Sequence, residues 1–384
     1  MPCTFTPAFC RIDLAALRRN FRRLGPPEEL MPVIKSDAYG HGLLPVARAL
    51  ADAGAVRFAV GTASEGLALR RAGFGQEIVP LMGCLTAEDW RMAVAGGLTP
   101  LIAAPSDIEA AAAAARACGA SILPVAIKCD SGMGRLGFTP DEAANLAERL
   151  RAHPGLAPRI ALSHLSSVDM PGEDDYTDMQ VRRFASFLEG LRDMFPGIAP
   201  SLGNSAATTG PARALCGICR PGLALYGGNA FAGTSREHLG EDLEWAMSVA
   251  APILAVHPLR AGESLSYGRI FTAPRDMRVA VVAAGYATGF ARALSGRASL
   301  LVGGRRAPQV GRVCMSMLML DVSGHPDTAP GDLAWVLGGP ARSPGAVSGR
   351  SLTSSINMLM HTRPTCGTRR PRTSREVRPE SARA

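Results

Sequence analysis

Between residues 31 and 227 short apolar segments alternate with helix-like stretches, and this alternation most limits what the chain can fold into. Candidate strands lie at 31–35, 57–62, 77–83, 98–103, 123–130, 160–166 and 200–205, with an eighth just before RPGLALYG at 220–227. Candidate helices fall between them, as at 42–54, 63–73, 105–119 and 140–152, with Asp107 and the pair Pro140–Asp141 as start signals. Strands that alternate with helices build a parallel sheet, and eight such units close it into a (β/α)8 barrel of TIM type. The alternative is an open, doubly wound sheet. No G-x-G-x-x-G turn follows the first strand, which counts against the dinucleotide-binding form of that fold.

The pattern changes near residue 240. Segments 248–259, 277–287, 298–304, 307–322 and 332–339 are short, rich in β-formers and divided by Gly and Pro turns. The expected organisation is a barrel over 1–235, a mostly-β domain over 236–340 and an atypical basic tail over 341–384.

With 47% hydrophobic and 19% charged residues, the chain can bury a sizeable core. The net charge of +8 suggests a nucleic-acid partner until it is located. Nine arginines and two glutamates fall in 341–384, so the other 340 residues carry only about +1. The tail is read as a solvated extension, and no nucleic-acid partner is expected. No apolar run is long enough to span a bilayer, and the N-terminus lacks the pattern of a signal peptide. The expectation is a cytoplasmic protein without a membrane partner, whose nine cysteines are reduced thiols.

In a barrel of this kind the chemistry gathers at the C-terminal ends of the strands. The chain has 41 Lys and Arg together, of which two are lysine, Lys35 and Lys128. Lys35 ends the first candidate strand in VIKSDAYGHG, and Lys128 lies in the fifth. A lysine buried at a strand end loses hydration, so its pKa falls and its amine becomes nucleophilic. Arginine cannot replace it, because a guanidinium stays protonated. Only a primary amine forms a Schiff base with an aldehyde. The loops after strands seven and eight, NSAATTG and RPGLALYGG, offer a hydroxyl and backbone N–H groups for a phosphate. An amine opposite a phosphate cradle suggests pyridoxal phosphate. For Lys128 a structural ion pair with a neighbour such as Asp130 stays open. His164 ends strand six and Arg135 lies in the Gly-rich loop CDSGMGRLGF. No HxH or HExxH motif supplies metal ligands, and no metal is expected.

The segments VIKSDAYGHG, IKCDSGMGRLGF, SHLSSVD, GNSA, RPGLALYG, SYGR, GYATG and VGRVCMSML occur in this order over roughly residues 8–340. As an ordered set they resemble the alanine racemase family, which uses pyridoxal phosphate. The resemblance implies an isomerase that interconverts L-alanine and D-alanine, supplying D-alanine for cell-wall peptidoglycan. It implies that Lys35 carries the cofactor and is one of two catalytic bases. Tyr267 resembles the second base, which in the family reaches the barrel of the other subunit of a homodimer. Tyr39, His164, Asn204, Ser205, Arg220, Gly222 and Leu223 would hold the cofactor. Arg135 and Met315 would meet the substrate, and Lys128 resembles a carbamylated lysine that orients Arg135. The chain departs from the family pattern at Thr288, Ser316 and Met358. Two alternatives are a pyridoxal-phosphate-binding homologue without catalysis and a racemase for another amino acid.

Overall fold

The computed structural model describes residues 7–339, so the basic segment 341–384 and Met358 lie outside the described residues. Parallel strands Arg57–Val60, Glu77–Pro80, Leu101–Ile102, Leu123–Lys128, Leu156–Leu162 and Ala199–Ser201 form the middle staves of a barrel. Thr99 N donates to Ile78 O at 2.9 Å and links the third stave to the fourth. The first and last staves are shorter than expected and reduce to isolated bridges, Val33 to Ala59 and Leu30 to Cys219. They still close the ring. Met31 N donates to Cys219 O at 2.8 Å, Cys219 N to Glu29 O at 2.8 Å and Val33 N to Pro221 O at 2.9 Å.

Helices cover the outside, and their starts are written locally. Asp13 accepts from Ala15 N and Ala16 N, both at 2.9 Å, and starts Leu14–Leu24. Thr62 and Glu65 form a reciprocal capping box on Ala63–Arg71, and Thr86 with Asp89 does the same on Ala87–Ala95. Asp107 accepts from the amides of Ala103 and Ala104 at the start of Pro105–Ala117. Leu17, Phe21 and Leu24 pack into the layer between helices and strands. Met31, Val33, Ala59, Val79, Leu101, Ala126, Ile160, Leu162 and Ile218 fill the barrel itself. Each large apolar side chain so buried contributes about 1.5–3 kcal/mol.

The second domain is a seven-stranded antiparallel sheet that closes on itself where Leu333–Leu337 pairs with Met247–Leu259. Its seventh member is Phe9–Ile12, which pairs antiparallel with Met247–Leu259, Phe9 opposite Ala250. The expected barrel span of 1–235 therefore loses its first strand to the C-terminal sheet. The reason is edge pairing: Met247–Leu259 is 13 residues long and has backbone groups to spare beside Met247–Ala250.

Asn20 joins the first helix to the segment that links the domains. It is fully buried, donates to Leu225 O at 3.1 Å and Glu244 O at 2.7 Å, and accepts from Glu244 N at 2.9 Å. Asn20→Ala leaves those groups unpaired, so a loss of about 1–3 kcal/mol is expected. A lower urea midpoint at unchanged far-ultraviolet dichroism is the expected outcome; an unchanged midpoint would show that Asn20 does not hold the two segments together.

Candidate active site

Lys35 opens a short segment that leaves the first stave in a left-handed turn. Ser36, Asp37, Ala38 and Tyr39 have φ of 54° to 56°, a conformation that costs a non-glycine residue about 1–2 kcal/mol. Local bonds and one distant ring hold the turn. Asp37 accepts from Leu43 N at 2.7 Å through its carboxylate and from Gly42 N at 2.9 Å through its carbonyl. His41 Nδ1 faces Tyr39 O at 2.9 Å, so that nitrogen carries the proton. The Tyr226 ring packs on both Tyr39 and His41, with centroids 4.9 Å and 4.4 Å away. Burial, and next the positive charge of Arg135, lower the pKa of Lys35.

The opposite wall comes from the fifth, sixth and eighth staves. Lys128 ends its strand, 6% exposed. Burial and then the cations Arg220 and Arg135 pull its pKa down to about 7. Asp130 does not supply an ion pair, because its carboxylate accepts the amides of Gly132, Gly134 and Arg135, each at 3.0 Å. It shapes the loop that carries Arg135, and the Tyr176 hydroxyl fastens that loop by donating to Gly132 O at 2.8 Å. Arg220, 5% exposed, donates to Ser201 Oγ at 2.6 Å and to Ser163 O. Burial lowers it to about 10, so it remains a cation at neutral pH. His164 Nδ1 lies 3.4 Å from the Arg220 guanidinium. Burial, Arg220 and Lys128 push His164 down to about 3 and keep it neutral.

Between the two walls, Asn204 caps the short helix Ser205–Thr209 by accepting from Ala207 N at 3.0 Å. Ser205 Oγ accepts from Gly222 N at 3.0 Å and Ala224 N at 3.1 Å, which ties the loops after staves seven and eight together. A Cβ on Gly222 would overlap the Tyr39 hydroxyl, so glycine lets that phenol enter the loop. The cavity so enclosed measures about 550 Å³. Lys35, Tyr39, Lys128, Arg135, His164, Asn204, Ser205, Arg220, Gly222 and Leu223 all line it. Four of these are Lys or Arg, and Asp169 is the one acid in the lining.

Tyr267 and Met315 are not in that lining. Both sit on the β domain and are well exposed, Tyr267 at 68% and Met315 at 59%. Tyr267 lies on a strained turn. Ser266 has φ 68° and ψ −179°, a region almost restricted to glycine, and Arg269 has φ 49°. Among the described residues, every non-glycine residue with positive φ follows Lys35 or flanks Tyr267.

Reading the sequence misses several contributors. Ser201 and Tyr226 look like ordinary strand and loop residues, and Glu65 like a helix cap. The spacing Cys216-Gly-Ile-Cys219 is also missed, although it is written in the chain. Both thiols are buried behind the stave of Arg220, and a Cβ on Gly203 would lie 2.8 Å from Cys219 Sγ and 3.1 Å from Cys216 Sγ.

Two family profiles match the chain, the alanine racemase N-terminal domain over residues 12–230 and the C-terminal domain over residues 246–373. The alanine racemase of Nitratidesulfovibrio vulgaris strain Miyazaki F is 47% identical over 346 residues, covering 89% of this chain and 92% of that one. That of Lawsonia intracellularis is 41% identical over 86% of this chain and 87% of its own. Among solved structures, the biosynthetic alanine racemase of Pseudomonas aeruginosa superposes with a TM-score of 0.78 at 34% identity, over 94% of this chain and 98% of that one. The alanine racemase of Bartonella henselae, solved with covalently bound pyridoxal phosphate, gives a TM-score of 0.78 at 26% identity, over 92% of this chain and 97% of that one. The chain belongs to the alanine racemase family.

Proposed function

We propose that the protein racemises alanine with pyridoxal phosphate, using Lys35 and Tyr267 as its two bases. The observation that carries this reading is the cavity itself, in which a desolvated primary amine faces two guanidiniums, a neutral imidazole and a hydroxyl-bearing loop.

The residues fit the cofactor. A cavity of about 550 Å³ suits a small aromatic phosphate with an amino acid beside it. Tyr39, Asn204, Ser205, Gly222 and Leu223 would hold the phosphate, in the space that a Cβ on Gly222 would partly fill. Neutral His164 would pack against the ring, and Arg220, fixed by Ser201 and Ser163, would face the ring nitrogen. A permanent cation there opposes protonation of that nitrogen. When bound, pyridoxal phosphate supplies the sink for the electron pair left as the α-proton departs.

The rest is proton handling by the chain. Racemisation removes the α-proton from one face of the carbon and returns a proton to the other, so a base must stand on each face. Lys35 Nζ, its pKa lowered by burial and Arg135, serves one face. Tyr267 Oη serves the other from a second copy of the chain. Support for that homodimer comes from the exposed Tyr267, Ile270, Tyr286, Met315 and Met317 on the β domain, an apolar face of the kind that pairs. Met315 would meet the substrate from that same face. Arg135 binds the substrate carboxylate. Lys128, lacking a paired carboxylate and placed near two guanidiniums, is proposed to add carbon dioxide at its neutral Nζ, releasing one proton and leaving a carbamate anion between Arg135 and Arg220. The proposed setting is cytoplasmic, with D-alanine going to cell-wall peptidoglycan. Among the described residues no helix is long and apolar enough to cross a membrane.

In deuterium oxide the wild-type protein with pyridoxal phosphate should place deuterium on the α-carbon of L-alanine and yield D-alanine, as mass spectrometry and chiral chromatography would show. Lys35→Ala should lower both rates by at least about 100-fold, the scale of a lost general base. Racemisation that survives this substitution would defeat the assignment.

Lys128 adds a dependence on pH. Its folded pKa is about 7 and its unfolded value near 10.5, so the unfolded chain holds more protons on this group between those limits. In buffer stripped of carbon dioxide, stability should therefore rise with pH from about 7 upward, and Lys128→Met should flatten the rise. Bicarbonate should stabilise the wild type near neutrality and leave Lys128→Met unmoved. Equal urea midpoints in both proteins at every pH would contradict the role.

A further inference from the structure

The left-handed turn after Lys35 needs an anchor, because four adjacent non-glycine residues do not hold that conformation unaided. One side chain reaches it from the neighbouring stave. Glu65 Oε1 accepts from Asp37 N at 3.2 Å, inside the turn. Glu65 Oε2 accepts from Gly61 N at 2.7 Å and Thr62 N at 3.3 Å, where the second stave ends. One carboxylate therefore clamps the turn that carries the amine to the barrel wall beside it. Thr62 Oγ1 in turn accepts from Glu65 N at 3.3 Å, which completes the capping box at the start of Ala63–Arg71. The bonds from Gly61 N and Thr62 N hold the carboxylate in place before any ligand arrives. Crowding leaves no slack, because a Cβ on Gly61 would lie 3.0 Å from Glu65 Oε2 and 3.4 Å from Lys35 Cβ.

From this geometry we infer that Glu65 is a positioning residue for Lys35: by gripping Asp37 N and Gly61 N together it fixes the direction of the reactive amine and places a negative charge near it. The inference rests on the reading of Lys35 as the amine that takes the cofactor. The charges acting on Lys35 are Arg135, which lowers its pKa, and Glu65, which raises it. The cavity also holds Lys128, His164, Arg220 and Asp169, and Asp37 lies two residues along the turn. Glu65 thus opposes Arg135, and without it Lys35 should lose its proton at lower pH. Its grip and its charge are separable. Gln keeps one acceptor oxygen but turns an N–H₂ toward one of the two amides. Asp keeps the charge but is one methylene too short to reach both.

The test uses the full-length protein freed of cofactor, mixed with pyridoxal phosphate from acid to alkaline pH. The adduct at Lys35 is trapped with borohydride, located by peptide mass spectrometry and timed. In Glu65→Gln the pH of half-maximal rate should move downward, and the rate on the alkaline plateau should fall about tenfold, the scale of a misplaced reacting group. In Glu65→Asp the midpoint should stay near the wild-type value while the plateau still falls. Thermal melts identify any variant that does not fold, and the other then decides. If every folded variant keeps the wild-type midpoint and plateau, the positioning role is wrong and the Lys35 assignment stands. If the wild type itself forms no adduct at Lys35, the underlying assignment fails and the inference falls with it.

Discussion

The site depends on the closure of the barrel. Met31 N to Cys219 O and Cys219 N to Glu29 O, both at 2.8 Å, join the first stave to the last. Without that seam Lys35 and Arg220 would stand at opposite edges of an open sheet. With it, residues from the start, middle and end of the barrel share one cavity of about 550 Å³. The seam also packs Tyr226, from the loop after the last stave, onto Tyr39 and His41. Fold and site are linked here, since the bonds that complete the barrel also assemble the chemistry.

Two local features then specialise the cavity. The first is electrostatic. Lys35, Lys128, Arg135 and Arg220 line one cavity with one acid in the lining, so each lowers the proton affinity of its neighbours. Such a space favours anions, whether phosphate, carboxylate or the carbamate proposed at Lys128. The second is strain. Positive φ outside glycine is confined, among the described residues, to the turns beside Lys35 and Tyr267. A conformation of that cost persists only where surrounding bonds over-determine it. Around Lys35 they do, through Asp37, His41, Tyr226 and Glu65. At the second turn Ser266 Oγ donates to Arg312 O at 2.8 Å.

Much of this was legible in the sequence, for identifiable reasons. Strand–helix alternation showed the barrel because each stave is buried on both faces and each helix on one. Lys35 and Lys128 stood out because arginine carries nearly all other positive charge. Asn204, Ser205 and Gly222 were legible because they sit in polar and glycine-rich loops at strand ends. The partnership of Phe9–Ile12 was not, since antiparallel pairing across more than two hundred residues leaves no local mark. Nor was the turn at Ser36–Tyr39. Ser-Asp-Ala-Tyr carries no glycine, and two of the groups that hold the turn, Glu65 and Tyr226, arrive from elsewhere in the fold. Ser201 was invisible for a similar reason, because its value lies in the Arg220 it touches.

In the reading proposed above, a complete site would take Lys35 from one copy of the chain and Tyr267 from another. Mixing two inactive variants tests it most directly. Lys35→Ala and Tyr267→Phe proteins, unfolded together and refolded, form hybrids in which one of the two sites has both native groups. Alanine racemisation should then return to about a quarter of the wild-type level, as random pairing in a twofold dimer requires. Activity no greater than the sum of the two variants refolded alone would contradict that reading.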